Sequence, residues 1–143
     1  MGYLLDTNVI SEIRKRERCH PRVRRWFAQV EDDGIFLSVL VLGEIRRGIE
    51  LIRRRDDVAA RSLDRWLKGL ERRFEDRILP VTAEICERWG RIGLERPLPP
   101  IDGLLAATAL HHDLTLVTRN TVHAARSGAT VLNPFVESAN RRG

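Results

Sequence analysis

Cysteine is nearly absent from this chain. Cys19 and Cys86 are the only two, and they lie far apart with no C-x-x-C spacing. That argues against a disulfide scaffold and a cysteine zinc site, and it fits a reducing compartment. Both are expected to be packing residues. Lysine is scarce too: of 25 basic residues only Lys15 and Lys68 are lysines. No apolar run approaches the ~20 residues of a membrane span. The N-terminus enters Tyr3-Leu4-Leu5-Asp6 directly, with neither a basic leader nor a signal-peptide core. A cytoplasmic protein with no membrane partner is expected. Gly-rich phosphate loops, Ser-His-Asp patterns, internal repeats and low-complexity tracts are also missing. The adjacent pairs Cys19-His20 and His111-His112 cannot face one site as i,i+4 ligands would.

What is present is 143 residues, enough for one domain over 1–143 with a real core. The hydrophobic fraction of 43% is ordinary. A net charge of +5 has two open readings. Arginine bias can reflect a GC-rich genome, or it can attract a polyanion.

Apolar runs and helical patterns alternate along the chain. Strands are expected at Tyr3–Asp6, Ile35–Ser38, Ile78–Val81, Thr115–Thr118 and Thr130–Leu132. Helices are expected at Val9–Arg14, Pro21–Val30, Val39–Arg54, Asp57–Phe74, Ala83–Leu94 and Ile101–His112. Short, continuously apolar strands separated by helices indicate an α/β fold with a parallel sheet covered on both faces. Ligands of such sheets gather at the carboxyl ends of strands. Asp6 and Arg119-Asn120 fall at such ends.

Three acids stand in apolar settings. Asp6 ends Tyr3-Leu4-Leu5, Glu44 lies within Val41-Leu42-Gly43-Glu44-Ile45, and Asp102 precedes Gly103-Leu104-Leu105-Ala106-Ala107. A buried carboxylate is costly unless a cation satisfies it, so one shared cation is the reading. The bland alternatives stay open. Asp6 suits a helix N-cap, although Thr7 and Asn8 are expected to cap that helix and leave Asp6 spare. Glu44 sits at the margin of the buried arc of its helix, where a surface pair with Arg47 or Arg55 is equally compatible. Gly48, one turn on, suggests the close approach of another group. Asp102 in a first turn also suits the helix dipole. Oxygen ligands favour Mg²⁺ or Mn²⁺ over Zn²⁺, and a carboxylate-held cation suits phosphate chemistry.

Four blocks together resemble the PIN domain, and within it the VapC-type toxins of bacterial toxin–antitoxin pairs. They are Leu4-Leu5-Asp6-Thr7-Asn8-Val9-Ile10-Ser11-Glu12, Glu44 before Ile45-Arg46-Arg47-Gly48, Pro100-Ile101-Asp102-Gly103-Leu104-Leu105-Ala106-Ala107, and Leu116-Val117-Thr118-Arg119-Asn120. The resemblance implies a three-layer α/β/α sandwich with a central parallel sheet, Mg²⁺- or Mn²⁺-dependent cleavage of RNA, a homodimer and a small antitoxin partner. Carried over by position, Asp6 and Asp102 would bind the metal. Glu44 would bind a second metal or orient water, and Asn120 would hold the site or the substrate. Thr7 and Thr118 would support them, and Arg119 would hold backbone phosphate. The family usually has a further Asp three residues after the position of Asn120; here that residue is His123. The departure puts a second metal in question and leaves two rivals: an RNA-binding module with little or no cleavage, and a DNA-acting nuclease of related fold. Trp26, Trp66 and Trp89 read as core or dimer interface. Arg14-Lys15-Arg16 and Arg53-Arg54-Arg55 read as solvated helix ends, with RNA contact as the alternative.

Overall fold

The computed structural model of the chain describes residues 2–136. Leu4 and Leu5 are fully buried, as both faces of a covered parallel strand require. Their strand, β1 (Tyr3–Leu5), is the middle of a five-stranded sheet with β2 (Ile35–Ser38), β3 (Ile78–Leu79), β4 (Thr115–Val117) and β5 (Val131–Leu132). The order is β3-β2-β1-β4-β5, and every pairing is parallel. The register sets Leu4 beside Phe36 on one side and Leu116 on the other.

From β1 the chain moves outward to β2 and β3 by way of α1 (Thr7–Ile13), α2 (Pro21–Gln29), α3 (Val39–Arg53) and α4 (Asp57–Arg73). It then returns past α5 (Ala83–Trp89) and α6 (Pro100–His112) to β4, and continues through α7 (Thr121–Ala125) to β5. Right-handed crossovers in opposite directions put the first four helices on one face and the last three on the other. The packing agrees. α3 lies against α4, and α6 against α5, α7 and β4. This is the three-layer α/β/α arrangement expected from the sequence.

Every helix but α7 begins at a side-chain cap or a proline. Ser38 Oγ accepts from Leu40 N, Asp56 Oδ1 from Ala59 N, and Thr82 Oγ1 from Ile85 N. Pro21 and Pro100 open α2 and α6. Val41, Ile45 and Ile49 bury one face of α3. On its exposed side Arg53 and Arg46 grip Asp64 of α4 at 2.7 Å each. Such half-exposed pairs add little stability and mainly fix how α3 meets α4.

Several local expectations need correction. α5 ends at Trp89, not Leu94, because the chain turns at Gly90 and takes a left-handed conformation at Gly93 (φ 66°) before Pro97. β3 is two residues long, not four. α7 is a helix the periodicity did not reveal. Gly48 is not a point of close approach, since a Cβ there would meet nothing within 4 Å. Gly103 is one: a Cβ there would lie 2.9 Å from the Trp89 indole. That glycine lets α5 press against α6 one residue from Asp102. Trp26 is core, Trp66 is half-buried and Trp89 is exposed. Cys19 is buried and free, whereas Cys86 is free but exposed and is not a packing residue.

Candidate active site

The strand order reverses between β1 and β4, because the chain leaves β1 toward β2 but comes back to the sheet on β1's other side as β4. A crevice opens at such a switch point, outside the carboxyl ends of the two strands. Asp6 is the first residue after β1 and Thr118 the first after β4. The ladder continues one step beyond β1, with Asp6 N donating to Val117 O at 2.9 Å. The two side chains are therefore delivered to one place by backbone pairing alone.

Asp6 does two things at once. Its backbone is extended (ψ 159°) and it is the N-cap of α1, with Oδ1 accepting from Thr7 N at 2.7 Å. Its Oδ2 accepts from Thr118 Oγ1 at 2.8 Å and, at longer range, from Asn8 Nδ2 at 3.4 Å. The sequence reading gave the cap to Thr7 and Asn8. The cap is Asp6 itself, because α1 starts one residue after the strand and only Asp6 has non-helical backbone there. Capping still leaves the acid strained electrostatically. Burial raises its pKa, the bonds from Thr118 and Thr7 lower it, and the charge of Asp102 raises it again, for a net rise.

Asp102 comes from the first turn of α6. Its nearest titratable partner is His123 of α7, with Nδ1 3.7 Å from Oδ2. His123 Nδ1 also lies 3.1 Å from Asn120 Nδ2. Among the described residues no Lys or Arg forms an ion pair with Asp6, Asp102 or Glu44. Asp6, Asp102, Thr118, Asn120 and His123 line one niche, closed from below by Leu105, Leu116 and Ala124. Its volume of about 10 Å³ is near the least that admits one water-sized body.

Glu44 stands apart from that niche. Its Oε1 accepts from Thr7 Oγ1 at 2.6 Å, and Thr7 N donates to Asp6 Oδ1, so Thr7 links the two acids. It forms no pair with Arg47 or Arg55 among the described residues. Arg119 also lies outside the niche; its guanidinium is over the Phe135 ring at 4.6 Å. Of the three acids, then, Asp6 and Asp102 come together and Glu44 does not join them directly. Glu44 and Asp102 are half-buried, not sealed in apolar surroundings. Among the described residues no group of three or more His, Cys, Asp or Glu is arranged to hold a metal ion. Two facing carboxylates without a partner cation suit a hard divalent ion, which keeps most of its waters and needs only one or two protein carboxylates.

Asn8 is the residue that sequence reasoning missed. Its Nδ2 reaches Asp6 Oδ2 and Thr118 Oγ1 (3.4 and 3.5 Å), and its Oδ1 accepts from Arg119 N at 3.2 Å. It ties the loop after β4 to the acid after β1. Its position two residues beyond Asp6 was the only local signal.

The chain is similar to known proteins along most of its length. The PIN domain family model matches residues 3–128. Toxin FitB of Neisseria gonorrhoeae is 31% identical over 139 residues, covering 92% of this chain and 97% of that protein. Ribonuclease VapC14 of Mycobacterium tuberculosis is 36% identical over 81 residues, 57% of this chain and 71% of that protein. The crystal structure of FitAcB from Neisseria gonorrhoeae matches with a TM-score of 0.85 at 30% identity, covering 93% of this chain and 98% of that one. With a family match across most of its length and a relative of this identity and coverage, the chain belongs to the PIN domain family.

Proposed function

We propose that this protein is a divalent-metal-dependent endoribonuclease acting as the toxin of a toxin–antitoxin pair. The observation that carries the reading is the facing of Asp6 and Asp102 across one niche at the switch point, with Asp6 fixed by Thr118 and Thr7. The relatives named as toxins and ribonucleases support it.

In this reading Asp6 and Asp102 would hold Mg²⁺ or Mn²⁺, which would supply positive charge for the phosphoryl oxygens and a water of lowered pKa. Thr118 and Thr7 hold Asp6 in its rotamer, and Thr7 also orients Glu44 toward the site. Glu44 positions the attacking water. Asn120 presents its amide at the niche and steadies His123. The exposed Arg119 guanidinium, held over Phe135, takes a backbone phosphate of the RNA. Hydrolysis then forms one bond from water oxygen to phosphorus and breaks one ester P–O bond.

A concavity of about 650 Å³ between α1, α2 and α4 would suit the antitoxin. Ile13, Trp66 and Leu70 supply its apolar lining and Arg14, Arg24 and Arg65 its charge, which suits an apolar segment flanked by acids. Arg14 and Arg16 are thus part of a groove and not only solvated helix ends. A homodimer would cover Trp89, Leu94 and Ile101, which are 41%, 76% and 37% exposed; light scattering should give twice the chain mass. No described helix is long and apolar enough to cross a membrane, and work on RNA in the cytoplasm fits the two free cysteines.

Incubation with single-stranded RNA, with Mn²⁺ or Mg²⁺ and again with excess chelator, tests the function. Cleavage only with metal is expected, with single-stranded DNA cut far more slowly. RNA retained but uncut under all conditions would make the chain a binding module instead.

A further inference from the structure

We propose that the niche takes one divalent cation and no second, because His123 stands where another carboxylate would be needed. The inference rests on the metal-dependent reading above and goes beyond it by setting the stoichiometry.

Charge is the first ground. Among the described residues Asp6 and Asp102 are the only acids lining the niche, and together they balance one divalent ion. A second ion there would leave two positive charges uncompensated at close range, a large penalty in a half-buried site. Glu44 is the nearest candidate to supply more charge. Its Oε1 is engaged by Thr7 Oγ1 at 2.6 Å and its side chain does not line the niche.

Space is the second ground. Two-metal sites hold their ions ~3.5–4 Å apart. A niche of about 10 Å³ has room for one body of the size of a water molecule. His123 lines the niche, its Nδ1 lying 3.1 Å from Asn120 Nδ2 and 3.7 Å from Asp102 Oδ2. Asn120, Thr118 and the imidazole bring hydrogen-bonding atoms but no negative charge.

Replacing His123 by an acid should therefore create the second position. The test is a Mn²⁺ titration of the full chain, freed of metal by chelation. Free ion is counted from its six-line electron paramagnetic resonance signal, with no RNA present. Wild type should bind one equivalent per chain. His123→Asp should bind two, with spin-coupled broadening of the bound signal, while His123→Ala, which removes the ring without adding charge, should stay at one. Two equivalents in wild type would overturn the single-ion assignment. One equivalent in His123→Asp, or two in His123→Ala, would overturn the role given to His123. No binding by wild type would instead defeat the metal-dependent reading on which the inference stands, so the two failures are distinguishable.

Discussion

Thr118 Oγ1 donates to Asp6 Oδ2 across 2.8 Å, joining residues 112 positions apart in the chain. The same oxygen accepts from Asn120 N at 3.0 Å. One buried hydroxyl thus fixes the acid after β1 and the loop after β4 together. Both bonds exist because β1 and β4 pair in parallel with Leu5 beside Val117, which brings the next residue of each strand to the same level.

Thr118→Val keeps the shape and removes the hydroxyl. Asp6 Oδ2 would keep only the long contact from Asn8, and Asn120 N would lose its acceptor. A loss of about 1–3 kcal/mol in stability is expected, read by urea denaturation in chelator. RNA cleavage should fall at least ~10-fold, equivalent to 1.4 kcal/mol of misplacement. Unchanged stability and rate would show that the bond does not position Asp6.

Asp6→Asn should stabilise the metal-free protein at neutral pH. Burial and Asp102 hold the folded-state pKa of Asp6 above its ordinary value of about 3.9. Folding therefore favours the protonated acid. Its contribution is fully present below the unfolded pKa and is lost as pH rises through the folded pKa. Asparagine keeps the cap without the charge. Thermal melting in chelator should show the variant more stable at pH 7, by a few degrees, with the gap narrowing toward pH 4. A variant less stable at both pH values would contradict this.

Asn8→Ala removes the link from the Asp6 end to Arg119 N. Asp6 keeps its bonds from Thr7 and Thr118, so metal binding should change little. Arg119 N loses its side-chain acceptor, so KM for RNA should rise several-fold with a smaller change in kcat. Calorimetric Mn²⁺ binding and a kinetic split check this together. A collapse of metal affinity would instead place Asn8 among the groups that hold the ion.

The sheet was legible because its strands are short and mostly apolar: Leu4-Leu5 and Leu116-Val117 carry no polar residue to confuse the reading. The face of α3 followed from the spacing of Val41, Ile45 and Ile49. The apolar settings pointed to Asp6, Glu44 and Asp102 as one group, of which Asp6 and Asp102 line one niche and Asp102 is half-buried. What was not legible depended on contacts made across the fold. Nothing local tells that Thr7 binds Glu44 across 37 positions, or that Asn8 reaches Arg119 across 111. α7 is five residues long, too short for a period to show. The groove between α1, α2 and α4 joins residues from three helices, none unusual alone.

The most direct measurement of the central claim is RNA cleavage by Asp102→Asn beside wild type, at saturating Mn²⁺ and with the fold of each confirmed by thermal melting. Asparagine keeps the size and removes the charge that faces Asp6 across the niche. Loss of cleavage by at least ~10³-fold, about 4 kcal/mol of transition-state stabilisation, with the melting temperature held or raised, is the predicted result. Cleavage at the wild-type rate would contradict it and place the chemistry elsewhere on the protein.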